Sequence, residues 1–189
     1  MMYYRTRLYL AFTAIALLAL VTGGIHLFSS SYFRKVEEQV HRQERIVLLG
    51  HQLLEANQTL HALVHDCISA YRLACMANYD ASSLQRERLL DELMHIEDAV
   101  LERQALEVMR TKIVLTTHVE KQVLARVARG DINGAEKLFD RTYEARQADI
   151  QHQIQSFQAA EEQEAMSTRA YVQKQIRVLD IFNWIASGA

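Results

Sequence analysis

The sequence predicts an all-α protein, and three observations carry that prediction. The 189 residues include no proline and only six glycines. Apolar residues recur at spacings of three and four through most of the chain. An uncharged apolar run long enough to cross a bilayer stands near the N-terminus. A β-rich or α/β fold of this size needs frequent turns, and turns draw on Gly and Pro. Their scarcity, with abundant Ala, Leu, Glu, Gln and Arg, favours long uninterrupted helices. The expected architecture is an N-terminal transmembrane helix followed by an up-down-up-down four-helix bundle with long first and fourth helices. Net charge is −2, with both signs interspersed. No basic stripe suits nucleic acid, and no acidic block suits a disordered tail.

The first element is the run LYLAFTAIALLALVTGGIHLF at 8–28, which carries no Asp, Glu, Lys or Arg. As a helix it reaches roughly 30 Å, the thickness of a bilayer core. Arg5 and Arg7 precede it; Arg34 and Lys35 follow but are offset by Glu37 and Glu38. The balance favours a cytoplasmic placement for 1–7. Tyr3, Tyr4, Tyr9, Tyr32 and Phe33 suit the membrane interface. The run exceeds the about 7–15 apolar residues of a signal-peptide core, so an uncleaved anchor is the reading. A cleaved leader, cut near Ser29 to Ser31, is the alternative.

The first bundle helix begins near Ser30. Ile46, Leu49, Leu53, Ala56, Leu60, Leu63, Cys67, Ala70, Ala74 and Ala77 form an a/d seam, with Val64, Ile68, Tyr71 and Cys75 widening it. A stripe that wide belongs in a bundle rather than a two-stranded coil. The first break is expected at Asn78-Tyr79-Asp80-Ala81-Ser82, where Ser82 and Gln85 make a capping-box pattern. Leu84, Leu89, Leu90, Leu93, Ile96 and Val100 give the second helix its apolar face. A second break, unmarked by Gly or Pro, is placed near Leu101 to Ala105. Met109, Ile113, Val119, Val123, Leu124 and Val127 belong to the third helix. The third break is RGDINGAE at 129–136: a glycine suited to a helix C-terminus, then Asp131 or Asn133 as N-cap, with Asn133 and Glu136 forming a box. The fourth helix runs to about Phe182, with Ile150, Ile154 and Phe157 as its seam. Beyond them Ala159, Met166 and Ala170 offer shallow contacts among charges.

Helices one and four have about 50 residues each, and two and three about half as many, so at about 1.5 Å per residue four helices pack together only in the half distant from the membrane. The other half offers two helices per chain, which bury little. A parallel homodimer is therefore expected. Cys67 and Cys75, placed in one helix and separated by about 12 Å of helical rise, are expected to be too far apart for an intrachain bridge.

RGDINGAEKLF at 129–139 resembles the Gly-Asp-x-x-x-Ala turn that opens the last helix in two families of bacterial sensory domains. These are the four-helix-bundle ligand-binding domain of methyl-accepting chemotaxis proteins and the third CHASE-type extracellular domain of sensor histidine kinases and diguanylate cyclases. AYRLACM at 70–76 is similar to the Arg-Gly-aromatic-Leu stretch of the CHASE-type domain, with Arg72 at the arginine and Leu73 where that family has glycine. FQAAEEQEAMSTR at 157–169 is similar to their glutamate-rich descent to the membrane. The resemblance implies a sensor domain at 30–175 between two membrane helices, acting as a homodimer in the periplasm of a bacterial inner membrane. It implies partners in the membrane and in a small anionic ligand or a periplasmic binding protein. A fainter similarity to nitrate-sensing kinases puts Cys67 where their anion-binding arginine stands, against nitrate recognition.

Arg72 beside Tyr71 calls for an anionic partner. One reading is a carboxylate ligand held with Tyr143 and Arg146 from the fourth helix. The other is an internal ion pair with Asp66 or Glu144. His61 and His65, at i and i+4, have the spacing of two metal ligands on one helical face, although the heptad turns them outward. His118 and His152 are further histidines with no sequence feature to bring them in. His95-Ile96-Glu97 lacks the following Cys-x-x-Cys of a zinc deaminase. No Cys-x-x-Cys-His, P-loop, dinucleotide fingerprint or nucleophile elbow occurs. No catalytic residue and no cofactor is expected, and the chain is read as a non-enzyme.

The end, IRVLDIFNWIASGA at 176–189, is too short and too polar to span a bilayer. Trp184 with Ile181, Phe182 and Ile185 suits an interfacial anchor or the start of a second membrane helix. Two functions are expected from these features: an input module of a chemoreceptor or sensor kinase, or a stand-alone membrane-tethered bundle that recruits a partner.

Overall fold

In the computed structural model every regular element is helical among the described residues. The backbone is described for 2–70, 74–96 and 100–187. Side chains are described from 33 to 178 within those stretches, apart from 74 and 101, and at five earlier positions. The elements are α1 (Met2–Ala70), α2 (Ala74–Ile96), α3 (Val100–Ala128), α4 (Ile132–Leu138), a π turn (Phe139–Tyr143) and α5 (Glu144–Ser187). Two compact units divide the chain, 1–41 and 42–189. In the first, Glu37 and His41 face each other one turn apart at 3.9 Å. The apolar run at 8–28 lies inside α1, but most of its side chains fall outside the described residues. Among the described residues no helix is long and apolar enough to cross a membrane.

The second unit holds two apolar clusters. One gathers Ile46, Leu49 and Leu53 of α1, Leu90, Leu93 and Met94 of α2, Leu106, Met109 and Ile113 of α3, and Ile150, Ile154 and Phe157 of α5. The other gathers Leu60, Val64, Cys67 and Ile68 of α1, Tyr79 of α2, Val119, Val123, Leu124 and Val127 of α3, and Ala135, Phe139 and Tyr143. Along α1 the buried stripe departs from the heptad reading. Val64 is fully buried while Leu63 is half-buried and Ala70 exposed. A straight helix drifts against a 3.5-residue repeat in this direction, so the seam moves to the flank after four turns.

The first two turns lie elsewhere than expected. α1 ends at Ala70 and α2 begins at Ala74, so Asn78 to Ser82 form part of α2. Tyr79 is the reason: its ring is buried, which keeps the segment in the helix on the same face as Leu90 and Leu93. Leu84, read as core, is 48% exposed. Likewise α2 ends at Ile96 and α3 starts at Val100, so Leu101 to Ala105 are helical. The early start of α2 also corrects the cysteine reading. Cys67 near the end of α1 and Cys75 near the start of α2 are disulfide-bonded, with Cα atoms 5.7 Å apart. They stand on two helices, so helical rise along one does not separate them.

The third turn falls at 129–131. Gly130 takes φ +78°, and Gly130 N–H donates to Val127 O at 2.9 Å while Asp131 N–H donates to Arg126 O at 3.0 Å. That pair of bonds is a Schellman close, and the left-handed residue in it favours glycine. Of the two N-cap candidates, Asp131 takes the position: its Oδ1 accepts from Gly134 N–H at 3.0 Å, and its Oδ2 from Arg126 Nη1 at 3.1 Å. The expected single fourth helix is interrupted by the π turn. Buried residues there fall at Ala135, Phe139, Tyr143 and Gln147, every fourth position. Twelve residues of α-helix would overshoot one face by about 120° at about 3.6 residues per turn. The wider π turn absorbs about one residue of that excess and keeps all four on the core side.

Candidate functional site

Between the two apolar clusters lies a layer of buried polar side chains from every long helix of the second unit. Asn57 comes from α1, Arg86 from α2, Thr117 and Glu120 from α3, and Gln147 from α5. Arg86 and Glu120 have no exposed side-chain surface at all. The guanidinium meets the carboxylate end-on, Nη1 donating to Oε1 at 3.1 Å and Nη2 to Oε2 at 2.9 Å. Its remaining Nη hydrogens go to Asn57 Oδ1 at 3.1 Å and Thr117 Oγ1 at 2.8 Å. Tyr79 donates its hydroxyl to Glu120 Oε2 at 2.7 Å. Gln147 Nε2 donates to the Asn57 backbone carbonyl at 3.1 Å, which ties α5 to α1. A buried ion pair is tolerated when hydrogen bonds occupy its remaining valences; here they serve the carboxylate and both Nη atoms of the guanidinium.

Two phenols border the layer. Burial, and then the negative charge of Glu120, push the hydroxyls of Tyr79 and Tyr143 far above the ordinary tyrosine range. Arg86 opposes the shift in both. Asn57 Nδ2, Arg86 Nε, Gln147 Oε1 and the Tyr143 hydroxyl are buried without a hydrogen-bond partner.

Of the residues expected to bind an anion, Tyr71 and Arg72 lie outside the described residues. Tyr143 is fully buried, while Arg146 is exposed. His61, expected to face outward, is half-buried and stacks on Phe139 and Tyr143 at centroid distances of 5.7 and 5.6 Å. The π turn presents both of those rings. His65 is exposed and tilts against Phe139. His118 pairs with Gln122 on the surface, and His152 is exposed. Among the described residues no three His, Cys, Asp or Glu side chains are arranged to hold a metal ion.

Sequence reasoning missed the polar layer, although a signal existed. Arg86 stands at i+7 from Tyr79 and four residues before Leu90, and Glu120 four residues after Thr116 and three before Val123. Charged residues in register with an apolar stripe are the mark of a buried pair.

A second polar region joins α1 and α5. Gln43 Nε2 donates to Glu164 Oε1 at 3.1 Å, and Arg169 Nη2 to Glu44 Oε1 at 2.7 Å. His51 meets Gln158 at 3.2 Å through Nδ1 and Glu162 at 3.2 Å through Nε2. Gln43, Gln158 and Glu161 are buried there, and Gly50 lets the helices close in. A Cβ on Gly50 would stand 3.1 Å from Gln158 Cγ. No protein family, no curated protein and no solved structure matches the chain.

Proposed function

We propose that the chain is the extracytoplasmic signal-sensing input module of a bacterial membrane receptor, an up-down-up-down four-helix bundle that transmits ligand state by displacing α5 against α1. The observation that carries this reading is the polar α1–α5 contact. Gln43, Glu44 and His51 meet Gln158, Glu162, Glu164 and Arg169 through hydrogen bonds and ion pairs, half of them solvent-exposed. Exposed polar pairs are worth about 0–1 kcal/mol each, so the part of α5 beyond Phe157 can shift and re-pair against α1 at lower cost than the apolar part. A tightly packed apolar contact would resist the same movement.

Three further features support the reading. Successive helices meet the two apolar clusters in alternating order, as an up-down-up-down path requires. The Cys67–Cys75 disulfide suits an oxidising compartment outside the cytoplasm. The uncharged run at 8–28 suits a membrane anchor. On this reading the module works as a homodimer and has no catalytic role.

The test is to fuse the chain in frame to the signalling domain of a chemoreceptor and introduce Glu44→Cys with Arg169→Cys. Oxidative cross-linking is expected to lock the output in one state, and reduction to release it. Output that ignores the cross-link would move the assignment to a membrane-tethered scaffold that recruits a protein partner.

A further inference from the structure

A groove of ≈ 350 Å³ runs between α1 and α2, lined by Gln52, Glu55, Ala56, Thr59, Ser82 and Gln85. Its volume sits at the lower end of the about 300–1,000 Å³ typical of small-molecule sites. Five of the six lining side chains are polar, and Ala56 is buried beneath them. Among the described residues, none of the five polar side chains forms a hydrogen bond or ion pair with another residue. The α1–α5 groove is different in kind. Its polar groups are already matched, Glu44 to Arg169 and His51 to Glu162.

The free groups define a ligand chemistry. Gln52 and Gln85 carry amides, and Thr59 and Ser82 hydroxyls, all able both to donate and to accept. Such groups complement ligand hydroxyls. Glu55 only accepts when ionised, so it selects a cationic donor. No Lys or Arg lines the groove. An anionic ligand would therefore meet an uncompensated like charge. The position matters too. Asn57 follows Ala56, Ser83 follows Ser82 and Arg86 follows Gln85, and all three are buried. Both walls of the groove are thus continuous in chain with the buried polar layer.

We infer that the α1–α2 groove is a binding site for a small polyhydroxylated amine, of the amino-sugar class, whose ammonium pairs with Glu55 and whose hydroxyls engage Gln52, Thr59, Ser82 and Gln85. As the ligand site of a sensor the groove rests on the function proposed above; as a binding site it is tested without it. Isothermal titration calorimetry on the full chain in lipid nanodiscs would compare glucosamine, glucose and succinate. Saturable binding is expected for glucosamine, weaker binding for glucose, and none for succinate. Glu55→Gln, a change at an exposed position expected to leave the circular dichroism spectrum unchanged, is expected to weaken glucosamine about tenfold and bring it level with glucose, the effect of one charge-assisted hydrogen bond. Ser82→Trp is expected to block both sugars. Glucosamine that fails to saturate, or that binds Glu55→Gln and Ser82→Trp as it binds the parent chain, overturns the site. Binding without any change in the output of the fusion described above would leave the site standing and count against helix displacement alone.

Discussion

The guanidinium of Arg86 and the carboxylate of Glu120 are both sealed from water, so each depends on the other for compensation. Removing one leaves a bare buried charge, whereas removing both leaves none. Glu120→Ala is therefore expected to cost about 3–5 kcal/mol in chemical denaturation. The pair Arg86→Met with Glu120→Leu is expected to cost less than that single change. Some loss remains, because Asn57, Thr117 and Tyr79 would each lose one hydrogen bond. A double variant as unstable as Glu120→Ala would show that these neighbours, and not the charges, set the energetics. The tyrosines give a pH dependence with a definite sign. Tyr79 and Tyr143 hold their protons more tightly folded than unfolded, through burial first and Glu120 second. Their contribution is complete below the ordinary value of about 10 and is lost as pH rises towards the folded value. Stability should therefore fall in alkali, and Tyr79→Phe should make that fall shallower. A denaturation midpoint with the same alkaline slope in Tyr79→Phe as in the parent would remove Tyr79 as its source.

Among the elements, the interrupted last helix invites the most direct experiment. Ala135, Phe139, Tyr143 and Gln147 repeat every four residues, one more over this stretch than an α-helix accommodates. Arg141 is exposed inside the π turn. Deleting it would bring Tyr143 and Gln147 one residue closer to Phe139 and allow continuous α-helix with the same side chains buried. The deletion is expected to fold with undiminished thermal stability, whereas deleting one residue from the regular stretch between Ile150 and Ile154 should destabilise strongly by turning the downstream core out of phase. Equal losses from both would mean that the π turn does not arise from spacing. The same phase logic explains what was legible beforehand. Ile150, Ile154 and Phe157, and Met109, Ile113, Val119, Val123, Leu124 and Val127 of α3, are readable because their spacing is regular. The turn at 129–131 was readable because Gly130 and Asp131 have local chemistry that only a helix junction uses. The sequence carries no Gly or Pro between the end of α1 and the start of α2, or between α2 and α3, and Asn78 to Ser82 imitate a break while Tyr79 holds them in the helix. The buried layer is hidden because a stripe drawn through the leucines of α2 takes in the exposed Leu84 and passes over the buried Arg86. Which pairs of polar residues meet across helices is a tertiary fact that periodicity alone does not encode.

For the second unit as a whole, the polar layer separates two apolar cores of unequal construction. The core around Leu53, Leu93, Ile113 and Ile154 is aliphatic apart from its methionines and Phe157 and draws on four long helices. The core around Val64, Tyr79, Val123 and Phe139 includes the short α4 and the π turn, and carries the disulfide at its edge. A bridge closing a loop of about nine residues stabilises by about 2.5 kcal/mol in the chain-entropy account. Because hydrogen-bonded layers are directional and aliphatic packing is not, the two cores need not open together. Cys67→Ser with Cys75→Ser is therefore expected to accelerate amide exchange at Leu60 to Ile68, in the first turns of α2 and from Ala135 to Tyr143, while Ile46 to Leu53 and Ile150 to Phe157 keep their protection. Hydrogen exchange resolved by peptide mass spectrometry reads both groups in one experiment. Protection lost to the same degree in both would mean that the Arg86–Glu120 layer welds the cores into one cooperative unit. Protection lost only around the second core would mean that the layer is a boundary, across which one end of the unit can loosen while the α1–α5 contact at the other end holds.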